Sequence, residues 1–284
     1  MHWQTTRFQL DLARPCVMGI VNLTPDSFSG EGHRNDTAQA LQHAEKMLRE
    51  GAAILDVGGE STRPGAVPVP LEEELARLVP FLKEAVRWQV PISVDTYKPA
   101  VMQMVLDMGV DIVNDIWALR QPGAAQVIAA HPQCGVCLMH MHRDPQTMQT
   151  DRMVGDVLPA VKSFLQGRIE ALRALAVSAD RLVLDPGIGF GKTVEQNFQL
   201  LAQQDQLLDL GLPVLAGWSR KSSLGTVLAQ EGVVPEPAHR VVASVTAAVL
   251  AVERGARVVR VHDVKETAEA LKVWQAMRLN AAAH

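Results

Sequence analysis

The chain has 284 residues, 48% of them hydrophobic and 20% charged, with 27 basic against 31 acidic side chains and a net charge of -4. This ordinary globular composition gives no global basic field to attract nucleic acid. The longest apolar helical stretch, VVASVTAAVLAV from Val241, is too short to cross a bilayer, and the opening MHWQTTRFQLDLARP lacks a signal-peptide core, so the cytoplasm is the expected location.

In chain order, CVMGIVN from Cys16 is a short apolar run that ends on Asn22, and a helical pattern follows from Asp36 to Glu50. AAILDVG from Ala52 carries Asp56 and precedes a helix from Leu71 to Trp88. VPISVD from Val90 ends on Asp95, before Lys98 to Met108; DIVND from Asp111 carries Asn114, before Gly123 to Ala130. GVCLMH from Gly135 ends on Met139-His140, before Val157 to Leu175, and RLVLD from Arg181 ends on Asp185, before Thr193 to Leu208. LPVLAG from Leu212 ends on Gly217, before Ala238 to Arg254; RVVRVHD from Arg257 carries Val261-His262, before Val264 to Asn280.

Short, continuously apolar, β-branched runs are what strands covered on both faces require. Eight strand–helix alternations match an α/β fold of the (β/α)8 TIM barrel type, whose reactive groups lie at the C-terminal strand ends. A doubly wound open sheet shares the alternation. No linker or low-complexity tract interrupts the pattern, so residues 1–284 read as one domain with a short N-terminal extension at about 1–14. The longest loops, Thr24 to Asn35, Gly58 to Pro70 and His142 to Gly155, are of functional rather than connecting length.

Several motifs invite a sharper reading than they support. Cys134 and Cys137 form a C-x-x-C, but Cys137 falls inside a strand and no second pair exists, so both read as buried, reduced thiols. His140 and His142 would share a face only if the strand continued past its apparent end. LDPGIGFGKT from Leu184 fits neither the P-loop nor the dinucleotide spacing. It reads as a turn whose glycines allow the backbone to approach a ligand or to pack tightly.

Asp95, Asn114 and Asp185 project from the third, fourth and sixth strands, a set suited to hydrogen bonding a flat, nitrogen-rich heterocycle, although one Asp at a strand end is often a helix cap. Arg63, Arg220, Lys221, Arg260 and His262 lie on neighbouring loops and strand ends, and together suit a phosphate-bearing ligand. Arg220 is the one most easily read as a solvated surface charge. Arg260 is the hardest to read so, because an inward charge within RVVRVHD needs a partner. Asn22 offers a neutral oxygen to a hard cation such as Mg²⁺.

The segments MGIVNLTPDSFS, LDVGGESTRPGA, ISVDTYKP, IVNDI, CLMHMH, LDPGIGFGK, GWSRKSSLG and RVHDVKET resemble the dihydropteroate synthase family, in the family's order and over nearly the whole chain. The resemblance implies a folate-pathway transferase that joins p-aminobenzoate to 6-hydroxymethyl-7,8-dihydropterin diphosphate, releasing pyrophosphate and 7,8-dihydropteroate. It also implies a homodimer, Mg²⁺ dependence and sulfonamide inhibition, with no nucleic-acid or membrane partner. By matching position, Asp95, Asn114 and Asp185 would bind the pterin edge, with Met139, Phe190, Gly217 and Lys221 completing the pocket. Arg260 would stack on the pterin; Arg260 and His262 would meet the diphosphate, and Asn22 would hold Mg²⁺. Thr62, Arg63, Pro64, Phe28, Lys221 and Ser222 would form or close the p-aminobenzoate site. Asp185, Lys221, Arg260 and His262 carry the catalytic expectation.

The chemistry expected is a dissociative, SN1-like departure of diphosphate, helped by cations where charge develops, followed by attack of the aryl amine. No enzyme nucleophile is needed, in keeping with the absence of an evident Ser-His-Asp or Cys-His arrangement. The two long loops from Thr24 and Gly58 are expected to order only after the diphosphate binds. The chain departs from the family at Gly30-Glu31, where an acid usually precedes Gly-Gly, and at Tyr97 and Trp218. A pterin-dependent methyltransferase on the same barrel, or a non-catalytic pterin-binding relative, remains an alternative that pyrophosphate release would separate.

Overall fold

The computed structural model describes residues 1–24, 33–61 and 66–281, without the side chains of 33–36 and 281. Strands β3 (Cys16–Asn22), β4 (Ile54–Gly58), β5 (Ile92–Asp95), β6 (Ile112–Asp115), β7 (Gly135–Met139), β8 (Leu182–Asp185), β9 (Val214–Ala216) and β10 (Ala256–Val261) are all parallel and close on themselves, β10 pairing with β3. The closed ring decides between the two topologies that alternation left open. Helices α1 (His33–Glu50), α2 (Leu71–Ala85), α3 (Pro99–Asp107), α4 (Ala124–Ala130), α5 (Leu158–Arg173), α6 (Val194–Ala202), α7 (Ser222–Val227), α8 (Val241–Glu253) and α9 (Val264–Ala281) follow the strands. The fold is a (β/α)8 barrel.

Successive strand residues point to opposite faces, and that parity builds the interior. Met18, Ile54, Ile112, Cys137, Val183, Leu215 and Val258 form one apolar cluster with Trp3 and Leu12. Two residues further on, the same parity gives Ile20, Asp56, Asn114, Met139, Asp185, Gly217 and Arg260. One more step gives Asn22, Gly58 and His262. The barrel therefore changes from a dry lower layer to a polar upper one within a single pleat repeat. The opposite strand faces pack on the helices in the main core, with Leu55, Val94, Val136, Leu184 and Val259 fully buried.

The segment ahead of the barrel forms a hairpin of β1 (His2–Gln4) and β2 (Gln9–Asp11) that closes the floor. Trp3 is fully buried, and its Nε1–H donates to the Arg181 carbonyl at 2.9 Å. Arg7 meets the buried Asp111 carboxylate at 2.5 Å, and the same carboxylate accepts the Ile92 N–H at 2.9 Å. Trp3 also rests where a Cβ on Gly135 would stand 3.0 Å from its indole nitrogen, so floor and strand approach too closely for a side chain there.

Helix α6 starts on a capping box: Thr193 Oγ1 accepts the Gln196 N–H, and Gln196 Oε1 accepts the Thr193 N–H. The helix ends at Ala202, and a 3-10 turn from Gln204 to Leu210 takes over the apolar spacing that suggested a longer helix. Thr193→Ala should lower stability by about 1 kcal/mol, seen as a lower denaturant midpoint at unchanged slope. An unmoved midpoint would show the cap contributes nothing.

Candidate active site

The upper interior layer is an ionic cluster. Arg260 donates from Nε to Asp56 Oδ2 at 2.6 Å and from Nη2 to Asp95 Oδ2 at 2.7 Å. Asp56 is fully buried and also accepts Ser93 Oγ at 2.5 Å and Asn114 Nδ2 at 3.1 Å. The partner that Arg260 required is thus a pair of carboxylates from β4 and β5. Asp95 Oδ1 is buried with no partner among the described residues. Burial pushes the Asp95 carboxyl up to about 7, against the opposing pull of Arg260. Burial alone would lower Arg260, but Asp56 and Asp95 outweigh it and hold its proton more tightly.

Asp185 ends β8, and its Oδ1 accepts the Gly187 N–H at 2.7 Å. Burial raises its pKa, while that hydrogen bond and Lys221 oppose the shift. The glycine turn is built for close packing: a Cβ at Gly187 (φ 68°) would fall 1.8 Å from the His140 carbonyl oxygen, and one at Gly191 (φ 74°) 2.6 Å from His142 Cβ. A Cβ at Gly189 would instead meet the Lys221 side chain, 3.4 Å from its Cδ. Lys192 fastens this turn to β7. Its buried Nζ donates to the carbonyls of Gly187 at 2.8 Å, Phe190 at 3.2 Å and His140 at 3.4 Å. Burial lowers Lys192 to about 7, with Asp185 opposing.

An apolar wall stands beside these carboxylates. Ile116, Met139, Met141, Met148 and Phe190 form one cluster flanked by Tyr97 and Trp117. Lys221 Nζ lies 4.4 Å from the Phe190 ring centroid, a cation–π contact. Burial lowers Lys221 to about 8, while Asp185 pulls the other way. Trp117 is aimed by a tight turn in which Ala118 and Leu119 have φ of 51° and 58°. Asp115 accepts the Trp117 and Leu119 N–H groups at 2.8 and 2.7 Å, and Arg168 donates to the Ala118 and Leu119 carbonyls.

The β9–α7 turn presents Lys221. Arg220 takes a left-handed φ of 58°, a costly conformation for a residue with a side chain. Its guanidinium pairs with Asp263 at 2.6 Å, and Arg240 donates to the carbonyls of Arg220 and Lys221. Arg220 is therefore not a solvated surface charge but a brace for the turn. Gly217 leaves room above the pocket, since a Cβ there would stand 3.9 Å from Asp185 Oδ2. Ser219 Oγ accepts the His262 N–H at 3.1 Å and meets His262 Nδ1 at 2.9 Å. The two contacts fix the orientation of the imidazole against the β9–α7 turn. Ser222 is exposed at the start of α7.

Asn22 lies half-buried at the end of β3, its Oδ1 3.8 Å from where a Gly58 Cβ would be. Beyond β4, Glu60 receives Tyr97 Oη at 2.9 Å and also pairs with Lys98, which reaches the buried Glu74 at 2.5 Å. A cavity of about 220 Å³ opens along this outer wall, lined by Glu60, Ser61, Tyr97, Ile116, Trp117 and Asp144 among others, beside rather than over the Arg260 cluster. Trp218 is buried and tilts against Phe198 at 5.2 Å, away from any pocket-edge role. Phe28, Gly30, Glu31, Thr62, Arg63 and Pro64 lie outside the described residues.

The structure brings Asp95, Asn114, Asp185, Met139, Phe190, Gly217, Lys221, Arg260 and His262 to one end of the barrel. No group of three or more His, Cys, Asp or Glu side chains fit for a metal occurs among the described residues. His140 is pushed down to about 2 by burial and then Lys192, and packs edge-on against Phe164 at 5.0 Å. Cys16, Cys134 and Cys137 are free thiols, the last two buried. Sequence reasoning left Asp56 without a role and treated Lys192 only as part of a false phosphate loop. Asp56 was findable: a charge inside a strand buried on both faces needs a partner as much as Arg260 does.

Comparison with known proteins gives concordant results. The family described as pterin binding enzyme matches residues 18–262. The dihydropteroate synthase of Neisseria meningitidis serogroup B is 47% identical over 283 residues, 98% of each chain. The Burkholderia cenocepacia dihydropteroate synthase complexed with 7,8-dihydropteroate superposes with a TM-score of 0.88 at 47% identity, covering 100% of this chain and 98% of that one. The Xanthomonas albilineans dihydropteroate synthase with 4-aminobenzoic acid gives a TM-score of 0.88 at 46% identity, covering 95% of each.

Proposed function

The chain belongs to the pterin-binding enzymes and, within them, to the dihydropteroate synthases, and from that membership we propose that it joins p-aminobenzoate to 6-hydroxymethyl-7,8-dihydropterin diphosphate, giving 7,8-dihydropteroate and pyrophosphate. The observation that carries this reading is the convergence of Asp95, Asn114 and Asp185 with Arg260 and Lys221 at one barrel mouth. The dihydropteroate of the Burkholderia relative is the product of that reaction, and the 4-aminobenzoic acid of the Xanthomonas relative is one substrate.

A dihydropterin edge carries an amino group and ring N–H donors, so it needs acceptors. Asp95 Oδ1, lacking a partner among the described residues, Asn114 and Asp185 supply them. The planar guanidinium of Arg260 suits stacking on the ring, and Met139 and Phe190 supply its apolar surroundings. Arg260, Lys221 and His262 stabilise the departing diphosphate as charge develops on it. Electron density from the pterin then supports the positive methylene carbon until the aryl amine attacks. Thr62, Arg63, Pro64, Phe28 and Ser222 are proposed to bound the amine site.

Asn22 fits Mg²⁺ only as one neutral ligand, which accords with the habit of Mg²⁺ of keeping waters and substrate phosphate oxygens in most of its positions. When bound, the ion would neutralise charge on the leaving diphosphate. Pyrophosphate release on mixing both substrates, lost with a chelator and restored by Mg²⁺, is the expected result. No release at all, or release with both substrates present but no 7,8-dihydropteroate formed, would contradict the reading.

The pH profile should be bell-shaped. Asp95, raised to about 7, loses its acceptor charge as pH falls through that value, so pterin affinity declines on the acid side. Lys221, lowered to about 8, loses its positive charge as pH rises through that value, so diphosphate stabilisation declines on the alkaline side. Titration calorimetry with the pterin diphosphate should show about three- to tenfold weaker binding at pH 6 than at pH 7.5. Affinity flat from pH 5.5 to 9 would remove both assignments.

Helices α8 and α9 expose Val242 (81%) and Val273 (72%), together with Leu250, Met277 and Leu279. Helix α8 is apolar on nearly all sides, and such a helix is normally covered on both, which favours a homodimer through this surface. Sedimentation at the single-chain mass would count against it. No helix among the described residues is long and apolar enough to cross a membrane, and a cytoplasmic location remains the proposal.

A further inference from the structure

We infer that Asp56 is a positioning residue for pterin recognition, setting which face of Asn114 and which edge of Arg260 the pocket presents. The inference rests on the pterin diphosphate reading above. Asp56 itself shares the interior layer of Asn114 and Arg260 and is fully buried on β4.

Its two oxygens are committed. Oδ1 accepts Ser93 Oγ at 2.5 Å; Oδ2 accepts Arg260 Nε at 2.6 Å and Asn114 Nδ2 at 3.1 Å. A carboxylate paired with a guanidinium accepts hydrogen bonds and donates none, so the amide of Asn114 must turn its NH2 group toward Asp56. The amide oxygen is then directed away, as an acceptor with no partner among the described residues. A neutral amide in place of Asp56 weakens that constraint, because Arg260 Nε–H keeps the amide oxygen on the shared position while the charge that held the Asn114 NH2 group is gone, so Asn114 is held less firmly and can flip. A flipped Asn114 would offer donors to a pterin edge that itself brings donors.

The same oxygen holds the Nε edge of Arg260. With Nη2 on Asp95, the guanidinium plane is fixed at two points on two strands. Two groups proposed to touch the ligand are therefore oriented by one carboxylate that does not touch it. Ser93, from β5, keeps that carboxylate in place.

The test compares the full-length protein with Asp56→Asn, Asn114→Ala, the double variant and Ser93→Ala. Calorimetric affinity for a pterin diphosphate, the KM for p-aminobenzoate and the unfolding midpoint are measured on each. Asp56→Asn should weaken pterin affinity by about 30-fold while the p-aminobenzoate KM moves by less than about threefold. In the Asp56→Asn background, Asn114→Ala should add less than about threefold, since the orientation it depends on is already lost. Ser93→Ala should weaken pterin affinity by about three- to tenfold, and it serves as the deciding variant if Asp56→Asn does not fold. Wild-type pterin affinity in the folded variant, or independent multiplication of the Asp56 and Asn114 effects, would overturn the positioning role. Failure of the unsubstituted protein to bind a pterin diphosphate would overturn the functional reading, and this inference with it.

Discussion

Arg260→Ala should cost both turnover and fold stability, lowering kcat/KM by about 10³-fold and folding free energy by about 3 kcal/mol. The stability loss follows from what is left behind. Asp56 and Asp95, 0% and 6% exposed, would face each other without the cation that joins them at 2.6 and 2.7 Å. Breaking a buried pair from one side strands a charge, which costs more than the pair contributes when intact. The Arg260 side chain keeps 21% of its exposure, which places the effect at the low end of the range for buried pairs. Arg260→Lys restores the charge but not a fork that spans both oxygens, so it should recover more stability than turnover. Denaturant unfolding together with pyrophosphate release separates the two losses. An unchanged unfolding midpoint in Arg260→Ala would refute the ionic account of the upper layer.

Asp185→Asn should behave differently, losing roughly 3 kcal/mol of transition-state stabilisation, more than a hundredfold in rate, with little loss of stability. The carboxylate is buried and carries an unfavourable desolvation, so removing its charge relieves that cost, while the amide oxygen of the asparagine can still accept the Gly187 N–H. Asp185 also raises the pKa values of both Lys192 and Lys221. With that charge gone, each ammonium deprotonates at lower pH, so the alkaline limb of the rate profile should move toward neutrality. Wild-type turnover, or a lower rate on an unmoved alkaline limb, would show that Asp185 is not the electrostatic partner assigned to it.

Asp95, Asn114 and Asp185 were legible because they stand at the ends of apolar runs, and Arg260 because an inward charge within such a run needs a partner. Strand parity then fixes which residues of the aligned runs share the interior. What parity does not reveal is pairing across the barrel. Arg260 and Asp56 are separated by 204 positions, and only the closure of β10 onto β3 brings them together. Lys192 was left without a role because it holds carbonyls, a task with no spacing signature. Helix α7 has six residues, too few for a period to emerge, and was missed for that reason. The N-terminal hairpin has strands of three residues each, so the burial of Trp3 beneath the barrel leaves no pattern in the sequence around it.

That hairpin bears on the fate of a reactive intermediate. Trp3 and Leu12, stacked on Met18, Ile54, Ile112, Cys137, Val183, Leu215 and Val258, stop the barrel's lower end with side chains that offer water no hydrogen bond. On the proposed dissociative route, a methylene cation formed above this plug would be intercepted only from the open side. The balance between productive aminolysis and wasteful hydrolysis would then be decided at a single surface, where solvent and the aryl amine compete for the same approach. A leak in the floor, far from any substrate, would show itself as uncoupled pyrophosphate release.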